Sequence, residues 1–271
     1  SRQGHWNSLA ADALWGNYSP TRTNISQRIP MALLKHQLEI LAEVIKRQDG
    51  PLRMLSFGYP DLLVETSEIE KLFGADVASK LQIREDSGEI LNWHGFGDKI
   101  SEVIDSNHFF SLVDVDCTYV DIVKSRDIER IVDLNEPLPE DLIEQFDFVL
   151  DPGTIEHCCN IGQALKNVAL ALKQGGWVCH SSPLSMFNHG FYNINPTLFV
   201  DFYNQNDFEV EFLAATGGDR FSPSLTEIPA TERFSIEAEA STLFVAKRLK
   251  VSPLKWPTQS KYLNNPDLKS Q

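Results

Sequence analysis

Apolar positions along the chain fall into two textures. From Met31 to Arg47, Leu34, Leu38, Leu41 and Ile45 recur at the three-to-four spacing of an amphipathic helix, and Gly50-Pro51 end it. Elsewhere the apolar residues come in short runs that predict buried strands: Met54 to Phe57 before Gly58, Thr118 to Val123, Arg130 to Asp133, Phe146 to Leu150, and Trp177 to His180. Phe208 to Leu213, with alternating acids, and Ser241 to Lys247 predict two more. Between these, Asn160 to Lys173 places Ile161, Ala164, Leu165, Val168, Leu170 and Leu172 on a helical period, with Gly175-Gly176 as its cap. Pro196 to Tyr203 reads as a helix with proline in its first turn. Ser67 to Phe73 and Lys99 to Ile104 also read as helical, and Leu81 to Leu91 as a hairpin or an irregular excursion. Residues 181–195 form a loop, and residues 214–239 a long connection without periodicity.

Strands that alternate with helices and are apolar throughout predict a mostly parallel sheet covered on both faces. The last two strands lack a helical crossover, which predicts an antiparallel edge. The expected fold class is a doubly wound α/β sheet. Three regions are expected: an N-terminal lid or helical segment at 1–50, an α/β domain at 51–249, and an extended C-terminal tail at 250–271. Trp6, Trp15 and Tyr18 lie in a polar, turn-rich opening stretch suited either to closing over a site or to packing on the sheet.

Composition narrows the classes of function. The 271 residues carry 38 acidic and 24 basic side chains, a formal charge of -14. The field of that charge opposes general binding to nucleic acid. The four cysteines form no CxxC pair and no zinc spacing, so free thiols in a reducing cytoplasm are expected. No apolar run approaches the ~20 residues that span a bilayer, and no signal-peptide core is evident, so no membrane partner is expected.

In an open α/β sheet, ligands sit beyond the carboxyl ends of the strands, near the point where strand order reverses. Gly58, after the first strand of the sheet, lets backbone approach a ligand closely. Asp121, near the end of the second, can accept two hydrogen bonds from vicinal ribose hydroxyls. Asp133 closes the third and is placed to bond a purine amino group. The segment from Asp151 to Glu156 forms a wall beside them. Singly, each has a plainer reading as a turn glycine, a helix cap or a solvated loop acid; their order and spacing carry the weight.

The run FDFVLDPGTIEHCCNIGQALKNVALALKQGGWV, residues 146–178, resembles the corresponding block of class I S-adenosylmethionine-dependent methyltransferases. That family has an FDxV strand, an EH turn, a helix ending LKxGG, and then the next strand. IVDLNEPLPEDL at 131–142 is similar to its third strand and following loop. HGFYNINPTLFVDFY at 189–203 resembles a subgroup of bacterial methyltransferase-like proteins associated with glycan or small-molecule modification. The resemblance covers roughly residues 52–248 and implies a seven-stranded sheet with an antiparallel last strand. It also implies S-adenosyl-L-methionine as cofactor, with Gly58 in the cofactor loop, Asp121 on the ribose, and Asp133 with Leu134 framing the adenine. Asp151 and Gly153 would then lie beside the methionine portion, and Glu156-His157 match the EH pair. The family's acidic residue followed by GxGxG is replaced here by Ser56-Phe-Gly-Tyr-Pro-Asp61, with a single glycine. Pro60 removes a backbone donor, and Asp61 becomes a candidate for the ligand's amino group.

Methyl transfer to a hydroxyl is an in-line displacement that needs positioning and a base. His189 is the first candidate for that base and His157 the second, with Tyr192 and Tyr18 as acceptor contacts. His189 stands equally as a substrate contact or loop anchor, His157 as a backbone anchor, and His180 as a satisfied core residue. Asp151, Glu156, His157 and His189 include metal-ligating types, but no spacing is diagnostic and no metal is expected. The functional expectation is O-methylation, less readily N-methylation, of a sugar or other small molecule, and a homodimer is compatible with the sequence. The alternative is a binding or scaffold protein that kept the fold with a degenerate cofactor loop. A nicotinamide enzyme is disfavoured by the missing GxGxxG.

Overall fold

The structure, a computed structural model, describes residues 31–219 and 222–263. The lid expected at Trp6, Trp15 and Tyr18 lies outside the described residues. The chain opens with β1 (Met31–Leu33) and α1 (Lys35–Lys46), followed by β2 (Leu52–Phe57) and β3 (Pro60–Leu62). An excursion then holds α2 (Thr66–Phe73), α3 (Ala75–Ala78), α4 (Ser87–His94) and α5 (Ser106–Leu112). Next come β4 (Val115–Asp121), β5 (Arg130–Ile131), β6 (Phe146–Asp151), α6 (Ile161–Ala171) and β7 (Leu172–Pro183). The chain closes with α7 (Pro196–Asn204), β8 (Phe208–Gly217), β9 (Ser224–Glu227), β10 (Ser241–Arg248) and α8 (Ser260–Leu263).

Eight strands form one sheet in the order β5-β4-β2-β6-β7-β10-β8-β9. The strands from β5 to β7 are parallel, β10 runs antiparallel between β7 and β8, and β9 pairs antiparallel with β8. This is the expected doubly wound, mostly parallel sheet with antiparallel C-terminal strands, enlarged by the short β9. The chain moves outward from β2 to β4 and β5, then returns to the other side of β2 as β6. Strand order therefore reverses between β2 and β6, and the crevice for a ligand lies there.

Apolar side chains of successive strand residues feed cores on opposite faces. Leu55, Phe57 and Phe244 pack with Leu165, Val168, Phe199 and Phe202 of α6 and α7. Met54, Leu243 and Val245 pack with Leu38 and Leu41 of α1 and with Phe109 and Phe110 of α5. Burial on both faces is why these strands read as continuous apolar runs.

Several expectations change. Lys99 to Ile104 is not a helix: Ile104 bridges Leu62 and Ile83 across the chain, which removes it from any local helical ladder. Gly175-Gly176 does not cap α6, which ends at Ala171. The glycines lie within β7, where Gly175 has a φ of 86° and the pairing with β6 shifts register. The connection from 214 to 239 contains the end of β8 and all of β9. The stretch ahead of α1, expected as helix from Met31, begins as β1, paired in parallel with β3.

Candidate functional site

A cavity of about 390 Å³ lies beyond the carboxyl ends of β6 and β7, on the antiparallel side of the switch point. Gly153 and Glu156 line it from the turn after β6, and Ser181 and Pro183 from the end of β7. Met186 and His189 close one side, while His36 and Gln37 of α1 face Trp93 and His94 of α4. Thr216 and Gly217 at the end of β8, and Gly218 just after it, line a further side. The β8–β9 turn is held down where His36 Nε2 meets the Pro223 carbonyl at 2.9 Å and Lys99 donates to Asp219 at 2.9 Å. The volume lies within the usual range for small-molecule sites, roughly 300–1,000 Å³.

The local sequence explains how the wall is built. β6 ends in Asp151, whose Oδ1 accepts from the Thr154 amide at 2.8 Å and so curls the chain into the tight turn at Ile155–His157. Gly153, at a φ of 112°, turns the backbone where a side chain is disfavoured. Asp151 Oδ2 lies 2.6 Å from His180 Nδ1, and His180 Nε2 lies 2.6 Å from the Tyr203 hydroxyl, all three side chains being buried. The imidazole bridges the carboxylate and the phenol, with both of its nitrogens engaged. His180 is thus the satisfied core histidine expected, and Asp151 faces the core rather than the cavity.

Glu156 differs from its neighbours. Its side chain has no exposed surface, and neither oxygen has a hydrogen-bond partner. His189 Nε2 stands 3.5 Å from Oε1 and His157 Nε2 3.9 Å from it, with the two imidazole rings 5.3 Å apart. Burial pushes the Glu156 carboxyl up to about 7; the Asp151 charge adds to that and His189 opposes it. Burial, then the neighbouring His189, holds His157 below the usual imidazole range. His157 Nε2 is itself buried without a partner, so this atom does not supply the backbone anchor expected of the residue.

The loop carrying His189 is locked against this turn. The Phe191 amide donates to the Glu156 carbonyl at 2.9 Å, and the Tyr192 hydroxyl to the Cys159 carbonyl at 2.8 Å. A Cβ on Gly190 would stand 2.9 Å from the Glu156 carbonyl oxygen, closer than real Cβ contacts allow, so glycine permits the approach. Phe187 and Phe191 of the same loop are 85% and 71% exposed, an unusual display for phenylalanine.

The structure brings together only part of the expected set. Gly153 and His189 line the cavity with Glu156, whereas Gly58, Asp61, Asp121, Asp133 and Leu134 do not. Gly58 has the glycine-favoured φ of 80°, and its amide donates to the Val120 carbonyl at 2.7 Å. Asp61 is buried with both oxygens engaged, one with His94 Nε2 and one with Arg126 Nη2, each at 3.0 Å. Asp121 is half-buried, accepts from the Val123 amide, and burial raises its carboxyl above the usual range. Exposed Asp133 bonds Asn135, while Leu134 belongs to the core. Tyr18 lies outside the described residues. His36, Gln37, Trp93 and His94 carry no sequence signal for the site, because helices far away in the chain deliver them.

No protein-family model matches the chain, and no curated protein matches it. Solved structures with a similar course include the CMeT domain of citrinin polyketide synthase (14% identity, 78% of this chain and 51% of that one, TM-score 0.42). TehB from Haemophilus influenzae is similar at 10% identity over 76% of this chain and 61% of that one, TM-score 0.41. A third is Burkholderia thailandensis 1,6-didemethyltoxoflavin-N1-methyltransferase with bound 1,6-didemethyltoxoflavin and S-adenosylhomocysteine (10%, 83% and 94%, TM-score 0.38). The chain spans about half the length of the first of these structures and three fifths of the second. At such scores the likeness carries no argument about this chain, and the functional reading rests on the site itself.

Proposed function

We propose that the protein is an S-adenosylmethionine-dependent methyltransferase acting on a hydroxyl, less readily an amine, of a sugar or other small molecule. One observation carries this reading. An acid–imidazole pair, Glu156 and His189, stands on the wall of a ligand-sized cavity beyond the strand ends, beside the point where strand order reverses. The order of Gly58, Asp121 and Asp133 at neighbouring strand ends supports a nucleoside cofactor. Gly58 would give it close backbone approach, and the remaining lone pairs of Asp121 would take ribose hydroxyls. Bound there, the cofactor supplies an activated methyl group.

The chain's own residues then orient the acceptor and move its proton. His189 takes the proton of the acceptor hydroxyl through Nδ1, the nitrogen that does not face Glu156, and the Glu156 carboxylate on the Nε2 side stabilises the charged imidazole. Phe187 and Phe191 offer apolar faces on which a sugar or ring can stack.

Calorimetry with S-adenosylhomocysteine tests this: saturable binding, weakened in Asp121→Ala, is expected. Silence at millimolar ligand would overturn the reading. A second reading, a binding protein without cofactor, is favoured by the pinned crevice. There Thr154 Oγ1 donates across the switch point to the Phe57 carbonyl at 2.9 Å, and Asp61 is held by Arg126 and His94. Native mass spectrometry separates the two, since a bound nucleoside mass would rule out the second.

A further inference from the structure

Three polar atoms converge beside the cavity, behind the wall that Glu156 and His189 form, with their bonding capacity unspent. Both oxygens of Glu156 and Nε2 of His157 are buried without hydrogen-bond partners, an arrangement that costs a fold stability unless something binds there. His189 Nε2 faces the same carboxylate at 3.5 Å, too far for a good hydrogen bond. One ligand atom from each residue lies within 4.8 Å of the other two. Around a tetrahedral ion with bonds of about 2.1 Å, ligand atoms stand roughly 3.4 Å apart, so an inward shift of about an ångström closes the set.

We propose that Glu156, His157 and His189 bind a divalent first-row transition ion of the Zn²⁺ class, with its open coordination face on the cavity. Two imidazoles and one carboxylate suit such an ion better than Ca²⁺ or Mg²⁺, which take oxygen ligands. Three protein ligands leave a position for solvent or substrate, the mark of a reactive rather than a structural site. The backbone prepares the geometry. Glu156 and His157 share one tight turn, and the His189 loop is fixed to that turn by the Phe191 amide and by the close seat of Gly190. The inference rests on the proposed methyl transfer and changes one role in it: with Nε2 on the ion, His189 no longer acts as the base, and the ion as Lewis acid lowers the pKa of the acceptor hydroxyl so that its proton passes to solvent.

The test is calorimetry of chelator-treated protein with ZnCl₂ and CoCl₂, together with the visible absorption of the Co²⁺ form. One ion per chain is expected, with no saturable binding of Ca²⁺. His157→Ala, His189→Ala and Glu156→Gln should each weaken Zn²⁺ binding at least about tenfold, the smallest loss typical of outer-shell partners. Absent saturable Zn²⁺ and Co²⁺ binding, or affinity unchanged in the His157→Ala/His189→Ala double variant, would overturn the site. Should Glu156→Gln fail to fold, the partly exposed His189→Ala carries the test alone. Nucleoside binding without metal binding removes only this inference, whereas metal binding without nucleoside binding removes only the transferase.

Discussion

Glu156 is an acid with no exposed surface and no hydrogen bond, and the folded protein favours its protonated form. Its contribution to stability is therefore greatest below the ordinary carboxyl range and is lost as pH rises through about 7. In the metal-free chain at pH 8, Glu156→Gln should raise stability by about 0.5–2 kcal/mol in urea unfolding while abolishing activity, the usual opposition at functional sites. A lowered midpoint would mean the carboxylate has a partner worth more than its burial costs. Tyr203→Phe works in the other direction. It leaves His180 Nε2 buried and unpaired, and should cost about 1–3 kcal/mol in the same measurement. These two acids, Asp151 and Glu156, sit five positions apart with opposite circumstances. The sequence marks both as candidates, but only the fold shows that Asp151 is spent on His180.

Among elements, legibility follows length and period. The helices at Lys35–Lys46 and Ile161–Ala171 present apolar stripes over three turns, and β6 centres on the apolar run Phe148-Val149-Leu150, so their patterns identify them. Helix α5, only seven residues long, has an adjacent pair, Phe109-Phe110, instead of a stripe; its one local signal is Asp105, which accepts from the His108 amide. β1, β3 and β9 are three or four residues each; β1 and β3 exist only through pairing across some thirty positions, and β9 through a hairpin with β8 whose four residues carry no apolar pattern. The tail after β10 reads as extended surface chain, yet it is anchored. Asn206 accepts from the Lys255 amide at 2.6 Å and donates to its carbonyl, Gln205 does the same with Thr258, and Trp256 packs over Gly162 of α6. Asn206→Ala should therefore cost about 1–3 kcal/mol, measured by urea unfolding, because a buried amide loses its bonds. Gly190→Ala should cost less stability than binding. Its Cβ pushes the His189 loop off Glu156, and calorimetry should show weakened Zn²⁺ affinity with a melting point near that of the parent.

For the whole molecule, the sheet and its two cores are a matter of pattern, while the site is a matter of assembly. The cavity takes walls from β1, α1, α4, the turn after β6, the loop after β7, the end of β8 and β10, from Ala32 to Leu243 in the chain. Binding to this assembly should be visible as stability. At S-adenosylhomocysteine one hundred times its Kd, unfolding free energy should rise by about 2.7 kcal/mol, and an unchanged melting temperature would contradict a folded-state ligand. The margins of the sheet have their own effect. One is the two-residue β5, whose Arg130 is tied up with Asp141, and the other is the four exposed residues of β9. Neither covers the strand inside it: β5 pairs only with Val120 and Asp121 of β4, and β9 only with Ala214 to Gly217 of β8, so among the described residues Val115 to Tyr119 and Phe208 to Leu213 keep an outer edge without a strand partner, guarded by the acids Asp116, Glu209 and Glu211. At a net charge of -14 these acids repel a second copy, so Glu209→Val should raise β-structure content when the protein is crowded, read by circular dichroism, and unchanged content would show the edge of β8 to be closed by other means.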